Sequence, residues 1–192
     1  MKIKTGVFFG SFNPIHIGHL IIANSMLELA GLHKVMFVVS PQNPLKQRSN
    51  LIPAYDRLEM VRRATYNHFQ FEVSDIEFKM PKPSFTIDTL SYLFDKHPER
   101  EFSLIIGQDN LIQLPQWKNH EKILEFYKLL VYPRPNAGYT EILDHPNVTM
   151  FEAPIMEISA SFIRENVRKG RSIKYLVVPE VEEYILTKGI FL

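Results

Sequence analysis

The chain has no cysteine. That removes disulfides, a thiol nucleophile and any cysteine-based zinc site, and it suits a reducing compartment. Charge of one sign is not in excess either. Lys and Arg number 22 against 21 Asp and Glu, a formal +1, so no global basic field gathers long nucleic acid, and phosphate binding must rest on local clusters. No segment approaches the roughly 18 apolar residues that span a bilayer. The apolar run behind Lys2 and Lys4 breaks at Gly10, too soon for the hydrophobic region of a secretory signal. There is no internal repeat and no low-complexity tract. With 45% hydrophobic and 22% charged residues over 192 positions, the expectation is one cytoplasmic domain, residues 1–192, with a core large enough to stand without staples.

What is present is an alternation of short β-rich runs and helical patterns. The runs are Thr5–Phe9, Val35–Val39, Phe71–Val73, Phe102–Ile106 and Lys128–Tyr132. Their near-continuous apolar character predicts strands buried on both faces of a parallel sheet. Leu20, Ala23, Leu27 and Ala30 recur at helical spacing, with Gly31 placed just past the end. Tyr55, Leu58, Val61 and Ala64 repeat the pattern behind Pro53, and Ile87, Leu90, Leu93 and Phe94 mark a third helix stopped by Pro98. Further helices are predicted from about Ser159 to Lys169, before Gly170, and after Pro179. The predicted fold class is α/β: a Rossmann-like, doubly wound parallel sheet, with ligands at the carboxyl ends of its strands.

The first strand runs into Gly10-Ser11-Phe12-Asn13-Pro14-Ile15-His16-Ile17-Gly18-His19. A Gly-rich turn leading into a helix is a phosphate seat, because the first helical N–H groups lack partners and the macrodipole makes that end positive. His16 and His19, three residues apart, add donors that can follow a phosphate as its charge develops. A second helix start lies at Ile158-Ser159-Ala160-Ser161-Phe162-Ile163-Arg164, where Ser159 is a good N-cap and Arg164 on the next turn reaches back over the positive end. Lys46 stands in the polar loop from Ser40 to Pro53, a flexible point charge suited to a phosphoryl group. At Pro83-Ser84-Phe85-Thr86 either Ser84 or Thr86 could cap the third helix and expose N–H groups to a small anion. Trp117, the single tryptophan, lies between Pro115 and Lys118 in a polar stretch that fits a stacking platform better than a core.

The histidine turn resembles the HxGH signature of the nucleotidyltransferase superfamily, with Asn13 where many relatives carry Asp. Residues 158–164 resemble that superfamily's ISxTxIR signature, with Ser161 in place of the usual Thr; the hydroxyl is kept. PSFTIDTL at 83–90, GQDN at 107–110, LPQWKNHEKIL at 114–124, VYPRP at 131–135 and the closing LVVPEVEEYILTKGIFL resemble the bacterial nicotinate-nucleotide adenylyltransferases. The resemblance spans nearly the whole chain. It implies an enzyme that transfers the adenylyl group of ATP to nicotinate mononucleotide, giving deamido-NAD and pyrophosphate. ATP binding is implied for Gly10, Ser11, Phe12, His16, Gly18, His19, Gly107, Asp109, Arg134, Ile158, Ser159, Ser161 and Arg164. In the family the Thr at Thr86 presents its N–H to the nicotinate carboxylate, beside Ser84 and Phe85; the Trp at Trp117 stacks on the pyridine; and the Asp at Asp109 lies by a ribose. Arg134 either flanks the adenine or braces its loop.

The nucleophile would be a phosphate oxygen, ionised at neutral pH, so neither a general base nor a covalent intermediate is needed. His16, His19, Lys46 and Arg164 would then carry catalysis by positioning and charge stabilisation. A magnesium ion is expected to arrive with ATP, held by phosphates and water, since the chain offers no metal cage of its own. ATP and nicotinate mononucleotide are the expected partners, with no membrane and no long nucleic acid; nothing in the pattern specifies an oligomer. The rival readings are an adenylyltransferase for nicotinamide mononucleotide or phosphopantetheine, and a non-catalytic nucleotide-binding regulator of the same fold.

Overall fold

In a computed structural model, residues 1–42 and 51–192 are described. Six strands form one parallel sheet: β1 (Ile3–Gly10), β2 (Lys34–Val39), β3 (Phe71–Ser74), β4 (Arg100–Gly107), β5 (Lys128–Tyr132) and β6 (Val148–Met150). Their order is β3-β2-β1-β4-β5-β6, and every pairing is parallel. The register sets Gly10 beside Val39, Phe8 beside Ile105 and Gly107 beside Tyr132.

The strands are apolar throughout because each feeds two cores. Phe8, Val35, Phe37, Val39, Ile105, Leu130 and Tyr132 enter the cluster on one face. Their neighbours Val7, Met36, Val38, Leu104, Ile106, Leu129 and Val131 enter the other. This is the period-2 alternation of a sheet covered on both sides. Helices α1 (Ile17–Leu29), α2 (Ala54–Thr65), α6 (Ala160–Arg168) and α7 (Pro179–Lys188) cover the first face through Met26, Leu58, Val61, Ile163, Val181 and Ile185. Helices α3 (Thr86–Lys96), α4 (Gln108–Ile112) and α5 (His120–Phe126) cover the second through Leu90, Leu93, Leu111 and Ile123.

The chain leaves β1 toward β2 on one side and returns at β4 on the other. Between the carboxyl ends of β1 and β4 the connections diverge and open a crevice, the usual ligand position of such sheets. Gly31 follows α1 at φ +58° and Gly170 follows α6 at φ +62°, so both helices stop where the glycines were expected to stop them. Two short helices and a strand escape the sequence pattern. The five residues of α4 and seven of α5 are too short to show a helical period, and β6 has three residues of which only Val148 is buried.

Candidate active site

The turn after β1 is shaped by its aromatic residue. Phe12 takes a left-handed φ of +46°, and its buried ring folds back over Gly10. A Cβ on Gly10 would lie 2.7–2.9 Å from three ring carbons of Phe12. Gly10 is therefore needed for an internal packing contact, a different reason from the close ligand approach its place in the turn suggests. The Phe12 ring also meets His19 edge-on, at 5.1 Å between centroids, and the His16 and His19 rings lie 3.7 Å apart with a 31° tilt. His19 is thus held between two rings.

His16 is the N-cap of α1 and is buried. Burial, and then the positive charge of Arg134, lowers its pKa to about 4. It is a neutral imidazole at neutral pH and contributes hydrogen bonding rather than charge. The His16 N–H donates to Nδ1 of His19 at 3.2 Å. That bond makes Nδ1 of His19 the acceptor, so a neutral His19 carries its proton on Nε2. The entrance of α1 is less open than a bare helix start, because the Ile17 N–H donates to the Leu176 carbonyl at 2.9 Å. The segment before α7 thereby closes one side of the seat.

The second helix start meets the first. Ser159 caps α6, its Oγ accepting from the Phe162 N–H at 3.2 Å. Arg164 donates through Nη1 to the Asn13 carbonyl at 2.8 Å and through Nη2 to the Ser161 Oγ at 3.0 Å. Burial, with a contribution from Arg168, lowers the Arg164 pKa. Asn13 is buried, and its Oδ1 accepts from the Ile52 N–H at 3.4 Å. An amide serves that contact, which takes only an acceptor.

These elements enclose a cavity of about 440 Å³, lined by Phe8, Phe9, Gly10, Ser11, Phe12, Asn13, His16, His19, Leu51, Asn110, Tyr132, Arg134, Ile158, Ser159, Ala160, Ser161 and Arg164. Arg134 lies over the Tyr132 ring, 5.4 Å to the centroid, and pairs with Asp109 at 3.5 Å. Seven buried side-chain polar atoms lack a hydrogen-bond partner among the described residues, and four of them belong to residues lining this cavity: Ser11 Oγ, His16 Nδ1, Arg164 Nε and Arg134 Nε, the last held only by its ion pair to Asp109. Unpaired buried polar groups are costly, and here three of the four are donors. The cavity is built for an anion with several acceptor oxygens.

The expected ATP residues Gly10, Ser11, Phe12, His16, His19, Arg134, Ile158, Ser159, Ser161 and Arg164 all line the cavity. Gly18, the second residue of α1, packs against the His16 ring, where a Cβ would lie 3.1 Å from Nδ1. Gly107 ends β4, where a Cβ would strike Asp109 Oδ1 at 2.5 Å and the Tyr132 hydroxyl at 3.1 Å. Lys46 lies outside the described residues. Asn110 and Tyr132 line the cavity from inside the GQDN and VYPRP segments, where the sequence alone gives neither a role, and Leu51 lines it from the loop before α2, a position with no local signature.

The proposed substrate segments lie outside this cavity but adjoin one another. Lys118 donates to the Asp88 carboxylate at 2.8 Å and sits over the Phe85 ring at 4.8 Å, which pins Trp117 beside the start of α3. Trp117 is half-buried at the edge of the second core, with its Nε1 unpaired. The cap of α3 differs from expectation. Phe85 is the N-cap and makes no side-chain bond, Thr86 opens the helix, and Ser84 turns inward, its hydroxyl donating to Glu77 Oε2 at 2.6 Å. The first amides of α3 are left without a side-chain cap. Of the remaining histidines, His68 is packed rather than solvated, stacked on Phe71 with centroids 3.8 Å apart.

A parallel sheet ordered about a switch point, with a donor-rich cavity at the strand ends, defines a phosphate-handling α/β protein of the doubly wound type. Comparison with known proteins narrows that class. The cytidylyltransferase-like family model matches residues 7–166. The chain is 54% identical to a probable nicotinate-nucleotide adenylyltransferase of Cytophaga hutchinsonii, over 97% of each chain. It is 48% identical to one of Flavobacterium johnsoniae, over 95% of this chain and 96% of the relative. In fold it is similar to the nicotinic acid mononucleotide adenylyltransferase of Plasmodium falciparum complexed with NaAD, with a TM-score of 0.83, 21% identity and coverage of 100% of this chain and 98% of that one. The chain belongs to the cytidylyltransferase-like family and, within it, to the nicotinate-nucleotide adenylyltransferases.

Proposed function

We propose that this chain transfers the adenylyl group of ATP to nicotinate mononucleotide, forming deamido-NAD and releasing pyrophosphate. The observation that carries the reading is the set of buried donors without a hydrogen-bond partner at Ser11 and Arg164, with Arg134 held only by its 3.5 Å ion pair to Asp109, around one cavity between the two helix entrances of α1 and α6. It is supported by the names of the relatives. An oxygen of the mononucleotide phosphate attacks the α-phosphorus of ATP. The bond from that phosphorus to the oxygen bridging α and β breaks, and the electron pair leaves with pyrophosphate.

His19 donates from Nε2 to the phosphate whose charge grows, and neutral His16 holds His19 in that tautomer through its main-chain N–H. Arg164 presents a planar fork to the departing phosphates while its Nη1 stays on Asn13. Lys46 adds a cation from its loop. Thr86 and the uncapped amides of α3 receive the nicotinate carboxylate, and Trp117 stacks on the ring. A magnesium ion travelling with ATP would add charge neutralisation along the triphosphate. Asp109 is engaged by Arg134 and Asn110, so phosphates and water would be the main ligands of that ion.

The test is pyrophosphate release from ATP with nicotinate mononucleotide, nicotinamide mononucleotide and phosphopantetheine in turn. The nicotinate substrate should give the highest kcat/KM. Release with none of the three would identify a nucleotide-binding regulator, and release with another acceptor first would reassign the substrate.

A further inference from the structure

Glu77 is buried to 2% exposure beneath the second face of the sheet, in a 3-10 turn at Ile76–Lys79. Its Oε2 accepts from the Ser84 hydroxyl at 2.6 Å and its Oε1 from the Thr89 hydroxyl at 3.0 Å. The Ser40 side chain also acts on this carboxylate, favouring its ionised form against the effect of burial. Ser84 and Thr89 flank the start of α3, and both are buried. Thr89 also has the Phe85 carbonyl at 3.3 Å, but a hydroxyl has one proton, and the carboxylate is the nearer and stronger acceptor. One acidic side chain therefore holds the turn 84–89 at both ends.

The same carboxylate reaches the phosphate turn through two more residues. The Ser40 carbonyl accepts from Arg57 Nη1 at 2.7 Å, and the Ser11 carbonyl accepts from that same nitrogen at 2.6 Å. Arg57 Nη2 and Nε donate to the Pro41 and Ile52 carbonyls at 2.9 and 3.2 Å. Hydrogen bonds join Ser11 and Ser40 through Arg57, and Glu77 to Ser84 and Thr89, with Ser40 and Glu77 acting on each other between the two sets. Together they link the turn that lines the phosphate cavity to the turn that opens α3.

We propose that Glu77 is a positioning residue for the acceptor nucleotide: it fixes the turn 84–89, and with it the uncapped amides of α3, relative to the phosphate turn. The proposal rests on the reading above that this turn receives nicotinate mononucleotide. A glutamine at 77 keeps the shape but offers one oxygen and one NH₂. One of the two hydroxyls, Ser84 or Thr89, must then accept from the NH₂ instead of donating to an oxygen, and a bond to a charged group is exchanged for a weaker neutral one at that end of the turn. A buried ion replaced by a neutral isostere need not destabilise a fold, so Glu77→Gln separates positioning from mere support.

The experiment measures KM for both substrates in Glu77→Gln, with Thr89→Val as a second variant that removes one anchor without touching the carboxylate. Nicotinate mononucleotide binding without turnover is read from quenching of Trp117, the single tryptophan. Expected are a rise of about tenfold in KM and Kd for nicotinate mononucleotide, the order of one hydrogen bond to a charged group, a change under twofold in KM for ATP, and an unchanged Tm. A parallel rise in both KM values, or a Tm loss with both KM values unchanged, would show a structural role and overturn the proposal. If the wild-type protein releases no pyrophosphate with nicotinate mononucleotide and its fluorescence does not respond to it, the substrate reading fails instead.

Discussion

Arg164 donates to the main-chain carbonyl of Asn13 at 2.8 Å, across 151 residues of sequence. This bond joins the two helix entrances into one cavity. Arg164 therefore has two tasks, bracing the histidine turn with Nη1 and facing the cavity with an unpaired Nε. Arg164→Lys should fail to restore full function, because an ammonium cannot hold the carbonyl and grip phosphate oxygens in one plane. KM for ATP should rise about tenfold or more in Arg164→Lys and further in Arg164→Ala, the order of a lost charge-assisted bond. Steady-state kinetics at varied ATP checks this, and an unchanged KM in Arg164→Ala would make the residue a brace alone.

His19→Ala should fold and lose most turnover. Its imidazole is held by the rings of Phe12 and His16, while α1 buries Ile22, Ala23, Met26 and Leu27 without it. Removal of one well-placed donor to developing charge costs about 10²–10³ in kcat. A kcat within threefold of wild type, at matched Tm, would remove His19 from the chemistry.

The lowered pKa of His16 makes a prediction about acid stability. The unfolded chain takes up this proton near 6.5 and the folded one near 4. Between those values the unfolded state binds more protons, so stability is fully present above about 6.5, falls as pH drops toward 4, and levels off below. The span corresponds to about 3 kcal/mol at most. Urea unfolding at pH 7 and pH 4.5 should show a smaller difference in His16→Gln than in wild type. An identical pH dependence in the two proteins would mean that His16 is not the buried group being charged.

Trp117→Ala should weaken nicotinate and nicotinamide mononucleotides by the same factor, since both present a π face; stacking is worth about 0.5–1.5 kcal/mol beyond burial. The preference for the acid should survive, because it depends on donors at the start of α3. Competition between the two mononucleotides in the variant tests this, and loss of the preference would place discrimination at the indole.

The histidine turn and the Ser159 cap were legible because each is written in contiguous residues: a turn into a helix and a helix start are decided within a few positions. Gly31 and Gly170 were legible for the same reason. Arg57 and Glu77 were not. Arg57 sits between Asp56 and Leu58 on an amphipathic helix, where a charged residue usually faces water, and Glu77 stands among Asp75, Phe78 and Lys79 in a stretch that looks like an exposed turn. Their burial is decided by partners 5 to 46 residues away for Arg57, from Ile52 to Ser11, and 7 and 12 residues away for Glu77, at Ser84 and Thr89. Strand β6 was hidden because an edge strand of three residues has no alternation to show.

Arg57 also shapes how a charged ligand experiences the crevice. Burial lowers its pKa only to about 10, so it stays charged throughout the neutral range, while His16 beside the same turn is uncharged. Its four partners are main-chain carbonyls rather than a carboxylate, so its positive charge is screened by dipoles and is not cancelled. Lying under the turn and away from bulk ions, that charge is also weakened less by salt than a surface cation would be. A polyanion approaching the strand ends meets a potential built into the floor of the site, one that persists when the rim cations rotate away and that no shift of pH around neutrality turns off.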